Sequence, residues 1–141
     1  MKTDERLARM LHVLVHMGLL GGRETSEKIA QMLDTNPVVV RRTLGALRTY
    51  GIVESEGGRG GGWKLTRGLE EITVLDVQRA LRKGPILLAP ISRDHPTCPV
   101  EQASNSVLEL AHVAAEGALL ETYTKTTLAH IAKIATGGQG E

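Results

Sequence analysis

At 141 residues and 15.2 kDa the chain supports one compact domain plus an appendage. An aromatic content of 2 % with no Phe means that any core is built from Leu, Ile, Val and Ala, and a single cysteine excludes an intrachain disulfide framework. The net charge of +1 hides an asymmetry: residues 1–66 hold 10 Lys+Arg against 7 Asp+Glu, whereas 67–141 hold 7 against 9. The excess is sharpest over 36–67, with 6 basic and 2 acidic residues, which points that segment at a polyanion.

In chain order, Leu7 to Leu20 places Leu7, Met10/Leu11 and Leu14 at helical spacing, interrupted by Arg9, His12 and His16, and predicts an amphipathic core helix. It is neither a targeting segment nor a span, and no run is apolar enough to cross a bilayer, so a cytoplasmic protein without membrane contact is expected. His12 and His16 lie one helical turn apart, a spacing that can clamp a metal but more commonly marks the edge of a core helix, the reading preferred here. Glu24-Thr25-Ser26 opens a second short helix, Glu27 to Leu33, with Ile29, Ala30 and Leu33 inward. Thr25 and Ser26 at its start cap the helix, donate to a phosphate, or do both. Asp34-Thr35 makes the tight turn to the next helix.

Asn36 to Leu65 carries the densest information. Asn36 is a good N-cap, Pro37 suits the first helical turn, and Gly51 follows Tyr50 where a left-handed residue ends a helix. Val40, Leu44 and Leu47 share one face. The opposite face holds Val38, Arg42, Gly45 and Thr49, flanked by Arg41 and Arg48, and is cationic and low in profile, as a helix entering a major groove requires. A short helix, a tight turn and a basic second helix form a helix-turn-helix. Ile52–Ser55 and Trp63–Thr66 are strand candidates joined by Gly57-Gly58-Arg59-Gly60-Gly61-Gly62, so a β-hairpin wing follows. A phosphate loop of the nucleotide-binding kind must open a helix, whereas this glycine run opens a strand. Arg59 at the tip and Lys64 in the second strand are placed for the DNA backbone or minor groove.

Thr73 with Asp76 three residues on reads as a capping arrangement for a helix to about Arg82, ended by Gly84-Pro85. Residues 86–99 turn to Pro, Ser, Asp and His and read as a loop. From Val100 the positions Val100, Ala103, Val107, Leu110, Ala114 and Gly117, reinforced by Ala111 and Ala118, form a narrow seam of small and apolar side chains along one long helix. A half-site reader with such a helix predicts a symmetric homodimer on an inverted-repeat duplex.

The run from helix-turn-helix through GIVES to GGWKL, and CPVE ahead of a long helix, resembles the Rrf2 family of bacterial winged-helix transcription regulators over nearly the whole chain. The most specific match is the wing, where Gly61, Gly62, Trp63 and Leu65 follow the family pattern. Members carry an arginine just before the first wing glycine; here Gly57 stands there and Arg59 comes two positions later. The resemblance implies DNA binding and dimerisation. Relatives that sense iron–sulfur clusters use three cysteines in the loop and the start of the long helix; with Cys98 alone that site is excluded in one chain, and His95-x-x-Cys98 is a weak metal signal, so neither metal nor cofactor is expected.

Cys98 lies before Pro99 and hence at the N-cap of the long helix, where unsatisfied N–H groups and the macrodipole favour a thiolate; the alternative is a small buried cap. The reading is a mainly α fold with a small β-hairpin: a winged helix-turn-helix over 1–83, a sensor loop over 84–99, a dimerisation helix and C-terminal helix over 100–136, and a flexible tail over 137–141. The expected function is a DNA-binding transcriptional repressor responsive to an oxidant, electrophile or small molecule at Cys98, with Thr25, Ser26, Asn36, Val38, Arg41, Arg42, Arg48, Arg59 and Lys64 on the DNA. No catalytic residue is expected. A thiol enzyme built on Cys98 lacks an identifiable general base, and a winged helix used only for protein contacts would lack salt-dependent duplex binding.

Overall fold

The computed structural model describes residues 5–82, 84 and 86–137. The chain divides into two compact units, one of residues 1–82 with 123–141 and one of residues 83–122.

In the first unit, α1 (Arg6–Leu20), α2 (Ser26–Leu33) and α3 (Pro37–Thr49) precede a hairpin of β1 (Val53–Glu56) and β2 (Gly62–Leu65), a 3-10 turn at Leu69–Glu71, and α4 (Val74–Leu81). The inward residues of α1 and α3 are those the periodicity selects: Val13 and Leu14 on one, Val40, Leu44 and Leu47 on the other, all fully buried with Ile29, Ile52, Ile72 and Val77. His12 and His16 lie exposed on α1, their ring centroids 4.8 Å apart. Among the described residues no helix is long and apolar enough to cross a membrane.

The helix ends follow their side chains. Asn36 accepts the Val39 N–H at 3.0 Å and starts α3; Gly51, at φ +84°, ends it. The α2–α3 turn is made by Asp34 in the left-handed conformation, φ 53°. Thr73 and Asp76 form a full capping box at α4. The strands are antiparallel, Val53 opposite Leu65 and Glu56 opposite Gly62, and both lie one residue nearer the wing tip than the sequence suggests, β1 starting and ending one residue later and β2 one residue earlier. Ile52 stays outside because its N–H closes on Leu47 O at 3.0 Å and finishes α3, while Thr66 donates back to Ile52 O.

The second unit is the loop running onto α5 (Pro99–Lys125), a helix with no buried residue. Side chains of α5 tie the loop along it. The Glu116 carboxylate accepts the N–H groups of Ile86 and Leu87. Asn105 exchanges two hydrogen bonds with the Ser92 backbone, and Glu101 accepts from His95 N–H and the Ser92 hydroxyl. After α5, α6 (Leu128–Ala135) belongs to the first unit, not with the long helix as the sequence suggests. The reason is pairing that the sequence does not advertise: Thr73 and Thr127 form a β-bridge, Leu128 N–H donates to Ile72 O at 2.8 Å, and Leu128 is fully buried. Of the expected tail, residues 138–141 lie outside the described residues.

Candidate nucleic-acid interface

The wing is fastened to the helix-turn-helix through side chains and backbone. Trp63, 6 % exposed on β2, donates its indole N–H to Ser26 Oγ at the start of α2 at 2.9 Å, and the Arg48 guanidinium of α3 lies 5.6 Å from its ring centroid. Arg48 also donates to Ser55 Oγ on β1 at 2.9 Å, so one arginine links α3 to the hairpin. The backbones join too: Glu24 and Trp63 exchange two hydrogen bonds, 2.9 and 2.8 Å, which make the segment before α2 a third strand in all but length.

This junction dictates one wing glycine, and the wing's own turn dictates another. A Cβ on Gly62 (φ +134°) would stand 2.5 Å from Glu24 O, and one on Gly61 would stand 2.3 Å from Glu56 O. Backbone on both sides leaves no room for either. The result is a groove of about 380 Å³ between the start of α2, α3 and the wing, lined by Thr25, Arg41, Arg48, Ser55, Gly58 and Trp63.

The expected DNA-facing residues fall into three groups. Thr25 and Asn36 are exposed N-caps whose oxygens accept from Lys28 and Val39, leaving helix N-termini turned outward. Val38 is 56 % exposed, and Arg41 and Arg42 one turn on and Thr49 at the far end of α3 are exposed too. Arg41 stands 3.8 Å from Glu27 and Lys64 3.1 Å from Glu54, exposed pairs of the kind that exchange readily for a stronger anion. Among the described residues the side chains of Arg42 and Arg59 make no ion pair or hydrogen bond, so their guanidinia are bare. Ser26 departs from expectation. Its side chain is 8 % exposed and engaged by Trp63, so its hydroxyl fastens the wing instead of being presented to a phosphate.

Arg23 escaped the sequence reading. It reaches Glu56 at 2.8 Å, Glu54 at 3.7 Å and Gly62 O at 3.5 Å, bracing the wing from the side away from α3. The signal for it is the pair of acids at alternate positions of β1, a same-face doublet that needs a cation in an otherwise basic region.

Cys98 sits where the sequence places it. Its carbonyl accepts the Gln102 N–H at 3.0 Å as the first bond of α5, its own N–H donates to His95 O, and it is half-buried. The seam of α5 is bare: Val100, Val107 and Leu110 are all at least two-thirds exposed.

The chain matches the Rrf2 family model, described as an iron-dependent transcriptional regulator, over residues 3–134. It is 32 % identical over 132 residues to the Bacillus subtilis (strain 168) protein named "Putative HTH-type transcriptional regulator YwnA", covering 91 % of this chain and 98 % of that one. The structure of CymR, the global cysteine regulator of B. subtilis, superposes with a TM-score of 0.68 at 22 % identity, over 95 % of this chain and 98 % of CymR. T. potens IscR superposes at 0.66 and 23 % identity, over 100 % of this chain and 93 % of IscR. At those identities the two structures speak for the fold. The iron in the family's description finds no matching donor set here: Cys98 is the sole cysteine, and among the described residues no three of His, Cys, Asp and Glu gather to hold a metal. On the family match over residues 3–134 and the wing geometry together, the chain belongs to the Rrf2 family of winged-helix, DNA-binding transcriptional regulators.

Proposed function

We propose that the chain is a homodimeric repressor that reads an inverted-repeat operator with α3 and holds the flanking backbone with its wing. The observation carrying this reading is the pair of bare guanidinia, Arg42 on α3 and Arg59 at the wing tip, on two elements locked together through Trp63, Ser26 and Arg48. A free arginine on a groove-facing helix pairs with guanine; one at a glycine-flanked tip neutralises a phosphate or enters the minor groove. Arg41 and Lys64 exchange their carboxylates for phosphates, Arg48 keeps the wing in register, and Thr25, Asn36 and Val38 line the approach.

The support for dimerisation is α5. A 27-residue helix without a buried residue, carrying Val100, Val107 and Leu110 on one face with Ala103 between them and Ala114 and Gly117 continuing the line, suits a second copy of itself, since small residues let two helices approach closely. Two recognition helices then enter successive major grooves, about one helical turn apart.

Cys98 supplies the signal in this reading. A peroxide oxidises the thiol to a sulfenic acid and is itself reduced, releasing water; condensation of that sulfenic acid with a small thiol gives a mixed disulfide and a second water, and either product enlarges the residue whose backbone begins α5. A shift at that point alters the dimer and with it the spacing of the recognition helices. The test is selection of duplexes from a random pool by the purified protein, followed by affinity measurements with and without peroxide. An inverted repeat whose affinity drops on oxidation, and does not drop in Cys98→Ser, is the expected result. A selected site without two-fold symmetry, or an oxidant effect that survives Cys98→Ser, refutes the corresponding part.

A further inference from the structure

A second cavity lies beside α3, away from the wing. It measures about 350 Å³ and is floored by Met10, Leu33, Val40 and Leu81, contributed by α1, α2, α3 and α4. Its rim carries Arg6 and Arg9 from α1 and Arg42 from α3. Its size falls at the lower end of small-molecule sites. Among the described residues that line it none is acidic, so an apolar floor meets a rim of one sign. Arg9 shares the exposed carboxylate of Glu5 at 3.6 Å, a pair that a better placed anion displaces. Arg42 has no ion-pair partner among the described residues.

From this charge complementarity we infer that the cleft binds a small amphipathic carboxylate, its hydrocarbon part over Met10 and Val40 and its carboxylate between Arg9 and Arg42, and that the occupant competes with DNA for Arg42. Desolvating a short alkyl or aryl group supplies affinity, while charge-assisted hydrogen bonds from guanidinium select the acid over its neutral analogue. The competition rests on the reading of Arg42 as a base contact; the binding does not. A guanidinium engaged by a carboxylate has lost the donors that guanine needs, and the added negative charge stands beside the face that meets phosphates. The cleft thus offers an effector site in the DNA-binding unit itself, independent of Cys98.

Octanoate is a suitable probe, with 1-octanol and acetate as controls for charge and for hydrocarbon. Calorimetry on the full chain should show saturable octanoate binding at one site per chain, with both controls weaker by about tenfold or more. Arg9→Gln should weaken octanoate about fivefold, and Leu81→Trp, which fills the cleft, should abolish it while leaving the affinity for selected duplex unchanged in its absence. Saturating octanoate should lower duplex affinity about tenfold in wild type and leave Leu81→Trp unmoved. If Leu81→Trp does not fold, judged by its thermal melt, Arg9→Gln carries the comparison alone. No saturable binding, equal binding of octanoate and octanol, or binding undiminished in the variants would overturn the site. Selective octanoate binding with duplex affinity unmoved would overturn the competition. A protein that binds no duplex at all would defeat the repressor reading and leave the calorimetry to decide the cleft.

Discussion

Replacing Gly62 by Ala tests whether the wing is held where the contacts place it. The residue adopts φ +134°, and an added Cβ would stand 2.5 Å from Glu24 O, backbone that has no rotamer to yield. Two costs follow. Forcing an L-residue into this region costs about 1–3 kcal/mol. Relieving the clash moves β2 away from Glu24 and breaks the bonds of 2.8 and 2.9 Å between Glu24 and Trp63, each of which contributes about 1 kcal/mol net. The sum, about 3–5 kcal/mol, is a large fraction of the roughly 5–15 kcal/mol that stabilises a domain. Trp63 is the sole tryptophan and sits at the lesion, so its fluorescence during urea titration reads stability and wing environment together. Gly57→Ala is the matched control in the same loop, with open space around its Cβ, and should fall within about 0.5 kcal/mol of wild type. Duplex affinity should fall with stability for Gly62→Ala alone. A Gly62→Ala protein as stable as Gly57→Ala would refute the junction described between β2 and Glu24.

Gly45→Ala should do the opposite of what stability arguments alone suggest: with nothing within 4 Å and helical surroundings it gains about 1 kcal/mol in a denaturant titration, yet weakens duplex binding by adding bulk to the groove-facing side of α3. Thr73→Ala removes one half of the capping box and should cost about 1 kcal/mol, with duplex affinity at low temperature unchanged; a loss below a few tenths contradicts the box. Leu110→Glu should give monomers by light scattering and lose the inverted repeat together, and a variant that stays dimeric would remove the α5 seam as the interface.

Local rules made much of the fold legible. Asn36, Pro37 and Gly51 bound α3 because capping and left-handed termination are decided within a few residues, and Thr73 with Asp76 announced α4 for the same reason. The glycine-rich wing was visible, although the physical reason for Gly61 and Gly62 was not, since it lies in the backbone of Glu24 and Glu56. What escaped depends on distant partners. Ser26 and Trp63 are separated by 37 positions, and nothing in a serine at a helix start tells a phosphate donor from an indole acceptor. The doublet of Glu54 and Glu56 calls for a cation, but that Arg23 supplies it does not follow from the sequence, because the strand's position is set by the hairpin. The return of α6 to the first unit rests on pairing around Thr73 and Thr127 and on the burial of Leu128, and the cap pattern at Thr73 announces α4 without pointing to a partner more than fifty residues away. Of the site, the cations were legible as a set, but their division into tethered Arg48, loosely paired Arg41 and Lys64, and bare Arg42 and Arg59 required coordinates.

The central claim is that α3 reads bases while the wing tip neutralises backbone. The most direct test compares wild type, Arg42→Ala and Arg59→Ala on a selected duplex and on a random one across a salt series. Arg42→Ala should lose about 1–3 kcal/mol on the selected duplex and far less on the random one. Arg59→Ala should weaken both alike and lower the salt slope by about one. Equal losses on both duplexes for Arg42→Ala, or a wild type whose duplex binding does not depend on salt, would contradict the account.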